Sequence, residues 1–171
     1  FAWKLHKDQE VGQVFCAPGN GGTKSFAINL DLDISDHKEI LREVEAHKID
    51  LVLIGPEAPL ANGIVDFLVK SNVKVFGPDK YATQLESSKL FARDIMDEYN
   101  IPQPKYKRCT SKEEVLEVKN KWKLPIVIKA DGLAAGKGVF ICDDERSFKE
   151  ALAAMFDKSK FGNASSSVSV E

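Results

Sequence analysis

Ile128-Lys129-Ala130-Asp131-Gly132-Leu133-Ala134-Ala135-Gly136-Lys137-Gly138-Val139 is the stretch on which the reading of this 171-residue chain turns. Before it, Pro125-Ile126-Val127-Ile128-Lys129 has the continuous apolar, β-branched character of a buried strand. After it, Val139-Phe140-Ile141-Cys142 reads as a second strand. Too few residues separate the two for a crossover helix, so they form a hairpin and not a βαβ unit. Three glycines and two alanines strip bulk from the loop, which lets backbone N–H groups approach a ligand and form an anion-binding nest.

Two familiar phosphate loops are excluded by spacing. A Walker A loop needs four residues between its glycines and a helix after the lysine; here three residues separate Gly132 from Gly136, and Gly138 and a strand follow Lys137. The dinucleotide fingerprint G-x-G-x-x-G between strand and helix also fails. Two readings remain: a flap lying over a polyphosphate, or an exposed hairpin with no ligand. Lys129 favours the first, because an ammonium on a buried strand is costly unless something anionic meets it. Lys137 adds a mobile positive charge at the tip.

Outward from the hairpin, the first half alternates strand and helix. Val11 to Ala17 reads as a strand closed by the turn Pro18-Gly19-Asn20-Gly21-Gly22-Thr23, whose amides and Thr23 hydroxyl are candidate phosphate donors or simply reverse the chain. Asp36-x-x-Glu39 predicts a capped helix with Ile40, Leu41 and Val44 on one face. Leu51-Val52-Leu53-Ile54 predicts a strand buried on both faces, followed by Gly55-Pro56-Glu57-Ala58-Pro59, a stiff loop that can aim Glu57 at a ligand or be only a rigid surface loop. Ile64, Val65 and Leu68 mark a helix and Val73 to Phe76 a strand. This is an α/β order with strands that suit an open parallel sheet.

Tyr81 to Tyr99 reads as one helix, charged on one side, that Asn100-Ile101-Pro102-Gln103-Pro104 breaks. Asn100 to Pro104 marks a boundary, and a second unit that begins at about Lys105 contains a Ser111-x-x-Glu114 cap ahead of Val115, Val118 and Trp122. It also contains the hairpin and a helix carrying Phe148, Ala151, Leu152 and Met155. Asn163 to Ser169 reads as a polar mobile loop.

Composition narrows the function class. With 24 Lys+Arg against 26 Asp+Glu, the net charge of −2 argues against a nucleic-acid binder, and no apolar run is long enough to cross a bilayer. Cys16, Cys109 and Cys142 are an odd, scattered set that reads as small buried thiols in a reduced, cytoplasmic chain. His6, His37 and His47 neighbour no cysteine cluster, so no metal site is assigned. No Ser/His/Asp or Cys/His grouping stands out, and no catalytic side chain is assigned.

At this point the residues match a known family. Ala17-Pro18-Gly19-Asn20-Gly21-Gly22-Thr23, Gly55-Pro56-Glu57-Ala58-Pro59-Leu60, Phe76-Gly77-Pro78, Gln84-Leu85-Glu86-Ser87-Ser88-Lys89 and the hairpin segment occur in this order. The chain closely resembles the phosphoribosylamine–glycine ligase (GAR synthetase) family of the ATP-grasp superfamily, from Phe1 to about Gly162. The resemblance implies a Rossmann-like pre-ATP-grasp domain at 1–85, lacking its first strand, and the start of an ATP-grasp domain at 86–171, with a small α+β lid at about residues 106–165. It implies ATP-dependent joining of glycine to 5-phosphoribosylamine through a glycyl phosphate, in purine biosynthesis.

By the same resemblance, Lys89, Lys129 and Asp131 would bind ATP, the lysines contacting its phosphates, and Gly132, Leu133, Ala134, Ala135, Gly136, Lys137 and Gly138 would form the flap over them. On composition alone Lys89 is an ordinary solvated lysine. Glu171 would stand at the first glutamate of the family's Val-Ile-Glu-Glu adenine hinge. Gly19, Asn20, Gly22 and Glu57 would lie on the phosphoribosylamine side. Mg²⁺ would accompany ATP, with its carboxylates and much of the glycine site in a C-terminal half outside these residues. The family's opening strand and Gly-Asn-Gly-Gly-Arg-Glu-His turn also lie outside them, so the chain is expected to be an inactive piece of a longer enzyme, alone or fused to other purine-pathway domains. Two rivals stay open: another ATP-grasp carboxylate or carboxylating ligase, and a non-catalytic nucleotide-binding module.

Overall fold

The computed structural model describes residues 1–134, 136–156 and 167–171. They form two compact units, Phe1–Lys80 and Tyr81–Glu171. The expectations for Ala135, and for the tail over residues 163–166, lie outside the described residues.

The first unit runs α1 (Ala2–His6), β1 (Phe15–Cys16), β2 (Ile28–Asn29), α2 (His37–Ala46), β3 (Val52–Leu53), α3 (Glu57–Ala61), α4 (Ile64–Lys70) and β4 (Val75–Phe76). Its strands pair in parallel as expected, β1 with β2 and β3 with β4. The strands are shorter than their apolar runs. Only Phe15–Cys16 of the run 11–17 is strand, because its partner β2 is itself two residues long. The β3 segment is half-buried and Leu51 is exposed, so the expectation of burial on both faces fails. One face packs on Leu60, Ile64, Val65 and Leu68, which form the core with Ile40, Leu41 and Val75 against them.

The α2 cap departs from the expected reciprocal form. The Asp36 carboxylate accepts from the Lys38 and Glu39 amides, satisfying two orphan donors of the first turn. The Glu39 carboxylate, however, accepts from the Asp33 amide at 3.0 Å, stapling the preceding loop instead of closing back on Asp36.

The second unit runs α5 (Gln84–Ser87), α6 (Lys89–Glu98), β5 (Lys107–Cys109), α7 (Lys112–Trp122), β6 (Ile126–Ala130), β7 (Val139–Cys142), α8 (Glu145–Phe156) and β8 (Val168–Val170). The strands make one antiparallel sheet in the order β5-β8-β6-β7. The β6–β7 hairpin is the expected one, with Ile126 opposite Cys142 and Lys129 opposite Val139. The Ser-rich end is not loop throughout: residues 168–170 lie between β5 and β6, and Ser169 is fully buried.

Alternation sets the faces of this sheet. Ile126, Ile128 and Ala130 on β6, with Val168 and Val170 on β8, join Cys109, Val115, Phe148, Ala151 and Met155 in one core. The intervening residues Lys129, Ser169 and Glu171 belong to the other face. The expected single helix over 81–99 is two, because Ser88 is extended (φ −131°, ψ 112°) and serves as N-cap of α6.

Candidate functional site

The root of the hairpin is held by a closed charge group. Glu171 continues β8 and pairs with Val127, its amide donating to the Val127 carbonyl at 2.8 Å and its carbonyl accepting from the Val127 amide at 2.7 Å. Its carboxylate accepts from Lys129 Nζ at 2.6 Å and from the Arg93 guanidinium. The carboxylate is only 8% exposed. Burial alone would raise its pKa, but the hydrogen bonds from Lys129 and Arg93 outweigh that and hold it below the usual carboxylate range.

The anion that Lys129 required on its strand is therefore met within the protein, by Glu171. Lys129 keeps a quarter of its side chain exposed. Arg93, which the sequence reading missed, is fixed by Gln103: its Nη1 donates to Gln103 Oε1 at 3.2 Å, and Gln103 Nε2 donates back to the Arg93 carbonyl at 3.2 Å. Nothing in the local pattern of α6 distinguishes Arg93 from the other charged residues of that helix.

The loop beyond Lys129 is short and pinched. The Ala130 amide donates to the Gly138 carbonyl at 2.7 Å, and the Lys137 amide donates to the Ala134 carbonyl at 2.8 Å. A Cβ on Gly138 would lie 2.7 Å from that of Ala134 and 3.0 Å from that of Ala130, so only glycine closes the loop this tightly. Among the described residues no acceptor meets the amides of Gly132, Leu133 or Gly136. Lys137 is exposed beside them.

Asp131 and Lys89, 42 positions apart in sequence, meet at the start of α6. The Lys89 amide donates to the Asp131 carbonyl at 3.2 Å. The Asp131 carboxylate accepts from the Leu90 amide at 2.8 Å and the Ser88 hydroxyl at 3.0 Å. Lys89 is half-buried as the first residue of the helix, unlike a freely solvated lysine.

In the first unit, Gly19, Asn20, Thr23, Gly55 and Pro56 help line a cleft of about 790 Å³. Gly22 and Glu57 do not line it; Glu57 is the exposed first residue of α3. The turn at 18–23 is also less open to a phosphate than expected. Asn20 Oδ1 accepts from the Gly22 and Thr23 amides at 2.8 and 3.1 Å, and Thr23 Oγ1 accepts from the Asn20 amide at 2.8 Å. The side chains that shape the turn have consumed three of the donors it was expected to offer. Asn29 seals it: its Nδ2 donates to the Asn20 carbonyl at 2.9 Å, and its Oδ1 accepts from the Thr23 hydroxyl at 2.8 Å. Gly19 (φ +75°) faces this amide so closely that a Cβ would stand 2.3 Å from Asn29 Cγ.

Among the described residues, no three His, Cys, Asp or Glu side chains gather in a metal-binding arrangement, and no helix is long and apolar enough to cross a membrane.

Residues 1–86 match the family described as phosphoribosylglycinamide synthetase, N domain, and residues 87–171 its ATP-grasp (A) domain. A phosphoribosylamine–glycine ligase of Clostridium acetobutylicum is 41% identical over 170 residues, covering 99% of this chain and 41% of that protein. One of Neisseria meningitidis serogroup B is 42% identical over 170 residues, covering 99% of this chain and 40% of the relative. The crystal structure of the Thermotoga maritima phosphoribosylamine–glycine ligase superposes with a TM-score of 0.78 at 29% identity, over 99% of this chain and 39% of that one. A biotin carboxylase domain from Hydrogenobacter thermophilus, crystallised with MgADP, superposes at 0.77 but only 14% identity, over 99% of this chain and 41% of that one, which speaks for the fold alone. The chain spans about 40% of the length of the curated relatives it matches. On these matches the chain belongs to the phosphoribosylglycinamide synthetase family, with an α/β fold of the ATP-grasp kind.

Proposed function

We propose that these residues supply the nucleotide-binding hairpin and the phosphoribosylamine-side domain of a ligase that joins glycine to 5-phosphoribosylamine, giving glycinamide ribonucleotide, ADP and phosphate. The observation that carries the reading is the hairpin root, where Lys129, a quarter exposed, stands beside loop amides that meet no acceptor among the described residues, in a chain of this family. The domain at 1–85 is assigned to phosphoribosylamine, with Gly19 and Asn20 lining its cleft and Gly22 and Glu57 outside that lining. Domain 86–171 is assigned to ATP.

In this reading a glycine carboxylate oxygen attacks the γ-phosphorus of ATP and ADP leaves, giving glycyl phosphate. The amine of phosphoribosylamine then attacks the acyl carbon, the C–O bond to phosphate breaks, and the amine nitrogen loses one proton. Phosphoryl transfer of this kind is mostly positioning and charge neutralisation. Lys129, Lys137 and Lys89 bring ammonium groups to the phosphates, and the amides of Gly132, Leu133 and Gly136, which meet no acceptor among the described residues, hydrogen-bond to them. The closed flap also keeps water from a hydrolysable acyl phosphate. Glu171 would take the adenine end while orienting Lys129. Magnesium would accompany ATP and shield its phosphate charge, with carboxylate ligands outside residues 1–171. A cytoplasmic setting, possession of ATP, glycine and phosphoribosylamine as small-molecule partners, and a lid at about 106–165 belong to the same reading.

The test uses the complete protein and glycine labelled with ¹⁸O in its carboxylate. One labelled oxygen should appear in the released phosphate, in a reaction that needs phosphoribosylamine. Phosphate without label would reject the glycyl phosphate, and ATP hydrolysis driven by bicarbonate instead of glycine would reject the ligase assignment. The 171-residue chain alone should form no product.

A further inference from the structure

We propose that Asp131 is a positioning residue that fixes Lys89 against the root of the hairpin and does not itself touch the nucleotide. The role rests on the nucleotide reading of the hairpin given above. The first three amides of α6 would normally be the donors a helix start offers to an anion. All three are occupied. The Lys89 amide donates to the Asp131 carbonyl at 3.2 Å, the Leu90 amide to Asp131 Oδ1 at 2.8 Å, and the Phe91 amide to Ser88 Oγ at 3.0 Å. The Ser88 hydroxyl in turn donates to Asp131 Oδ1 at 3.0 Å. One residue from the hairpin thus serves two of the donors directly and orients the cap that serves the third.

The same residue is tied to Ser167, just ahead of β8. Its amide donates to the Ser167 carbonyl at 3.1 Å, and its Oδ2 accepts from the Ser167 hydroxyl at 3.4 Å. Asp131 follows Ala130, the last residue of β6, and lies two residues past Lys129. Lys89 and Lys129 sit on elements far apart in sequence, and Asp131 gives them a common reference. Its carboxylate is committed to protein donors on both oxygens, which leaves a phosphate-repelling charge neutralised by the helix start. A flap residue that met ATP directly would have no reason to be spent in this way.

The experiment compares ATP dissociation constants and the KM for glycine in the complete protein. Asp131→Ala should weaken ATP binding roughly 10-fold, the scale of one charge-assisted hydrogen bond, with KM for glycine unchanged. Asp131→Asn should stay within about threefold of wild type, since an amide oxygen still accepts from Leu90 and Ser88. In a Lys89→Ala background, Asp131→Ala should add little, because its effect passes through Lys89. Ser88→Ala, the milder disruption, should weaken ATP about threefold and serves if Asp131→Ala does not fold. Asparagine as damaging as alanine, effects of Lys89 and Asp131 that multiply, or unchanged ATP affinity in Ser88→Ala would each overturn the role while leaving the ligase reading intact. Wild-type protein that binds no ATP would remove that reading and this role together.

Discussion

The carboxylate of Glu171 holds the ammonium of Lys129 at 2.6 Å across a separation of 42 residues. Arg93 completes the group from α6, so one buried carboxylate faces two cations. Removing any member of the group changes both the stability and the charge of the hairpin root.

Glu171→Gln is expected to destabilise the chain by about 1–3 kcal/mol, since it replaces a doubly charge-paired acceptor with a neutral one while leaving Arg93 and Lys129 largely buried. Urea unfolding measures it, with an unchanged slope and a lowered midpoint. An unaltered midpoint would mean the ion group contributes nothing net.

Lys129→Ala is expected to lower ATP affinity of the complete protein about 10–150-fold, the loss of one phosphate contact worth ~1.5–3 kcal/mol. Calorimetric titration decides it; an unchanged affinity would favour a ligand held elsewhere.

Acid should loosen the second unit through the same group. The folded pKa of Glu171 lies below its unfolded value, so its contribution is fully present above the unfolded pKa and is lost as pH falls through the folded one. Stability measured from neutral pH downward should therefore fall across the carboxylate range, and Glu171→Gln should flatten that fall. Equal acid sensitivity in both proteins would contradict the assignment.

Thiol reactivity should divide the cysteines. Cys109 and Cys142 are fully buried, and burial pushes the Cys109 thiol up to about 11 and the Cys142 thiol upward. Cys16 is half-buried. A thiol reagent at neutral pH should label Cys16 first and reach the other two only in denaturant. Rapid labelling of all three would show the second core to be open.

Gly19→Ala is expected to cost the first unit about 1–3 kcal/mol, read as a lowered thermal midpoint. The residue is at φ +75°, and the Asn29 side chain a Cβ would strike must break two hydrogen bonds to swing aside. A neutral substitution would show that the turn relaxes more readily than its hydrogen bonds suggest.

The sequence by itself determined whatever depends on neighbours along the chain. Apolar runs flanking a short glycine loop demanded the β6–β7 hairpin, and Phe148, Ala151, Leu152 and Met155 at helical spacing demanded the buried face of α8. The capping serines and aspartates marked where α2 and α7 begin. Only the tertiary structure decided who answers whom. Glu171 meets Lys129 because β8 inserts between β5 and β6, and Asp131 reaches α6 because the hairpin root lies against its first turn. Charge pairing and helix-start satisfaction act through space over a few ångströms, and a linear pattern carries no record of which distant segments the hydrophobic core will bring that close.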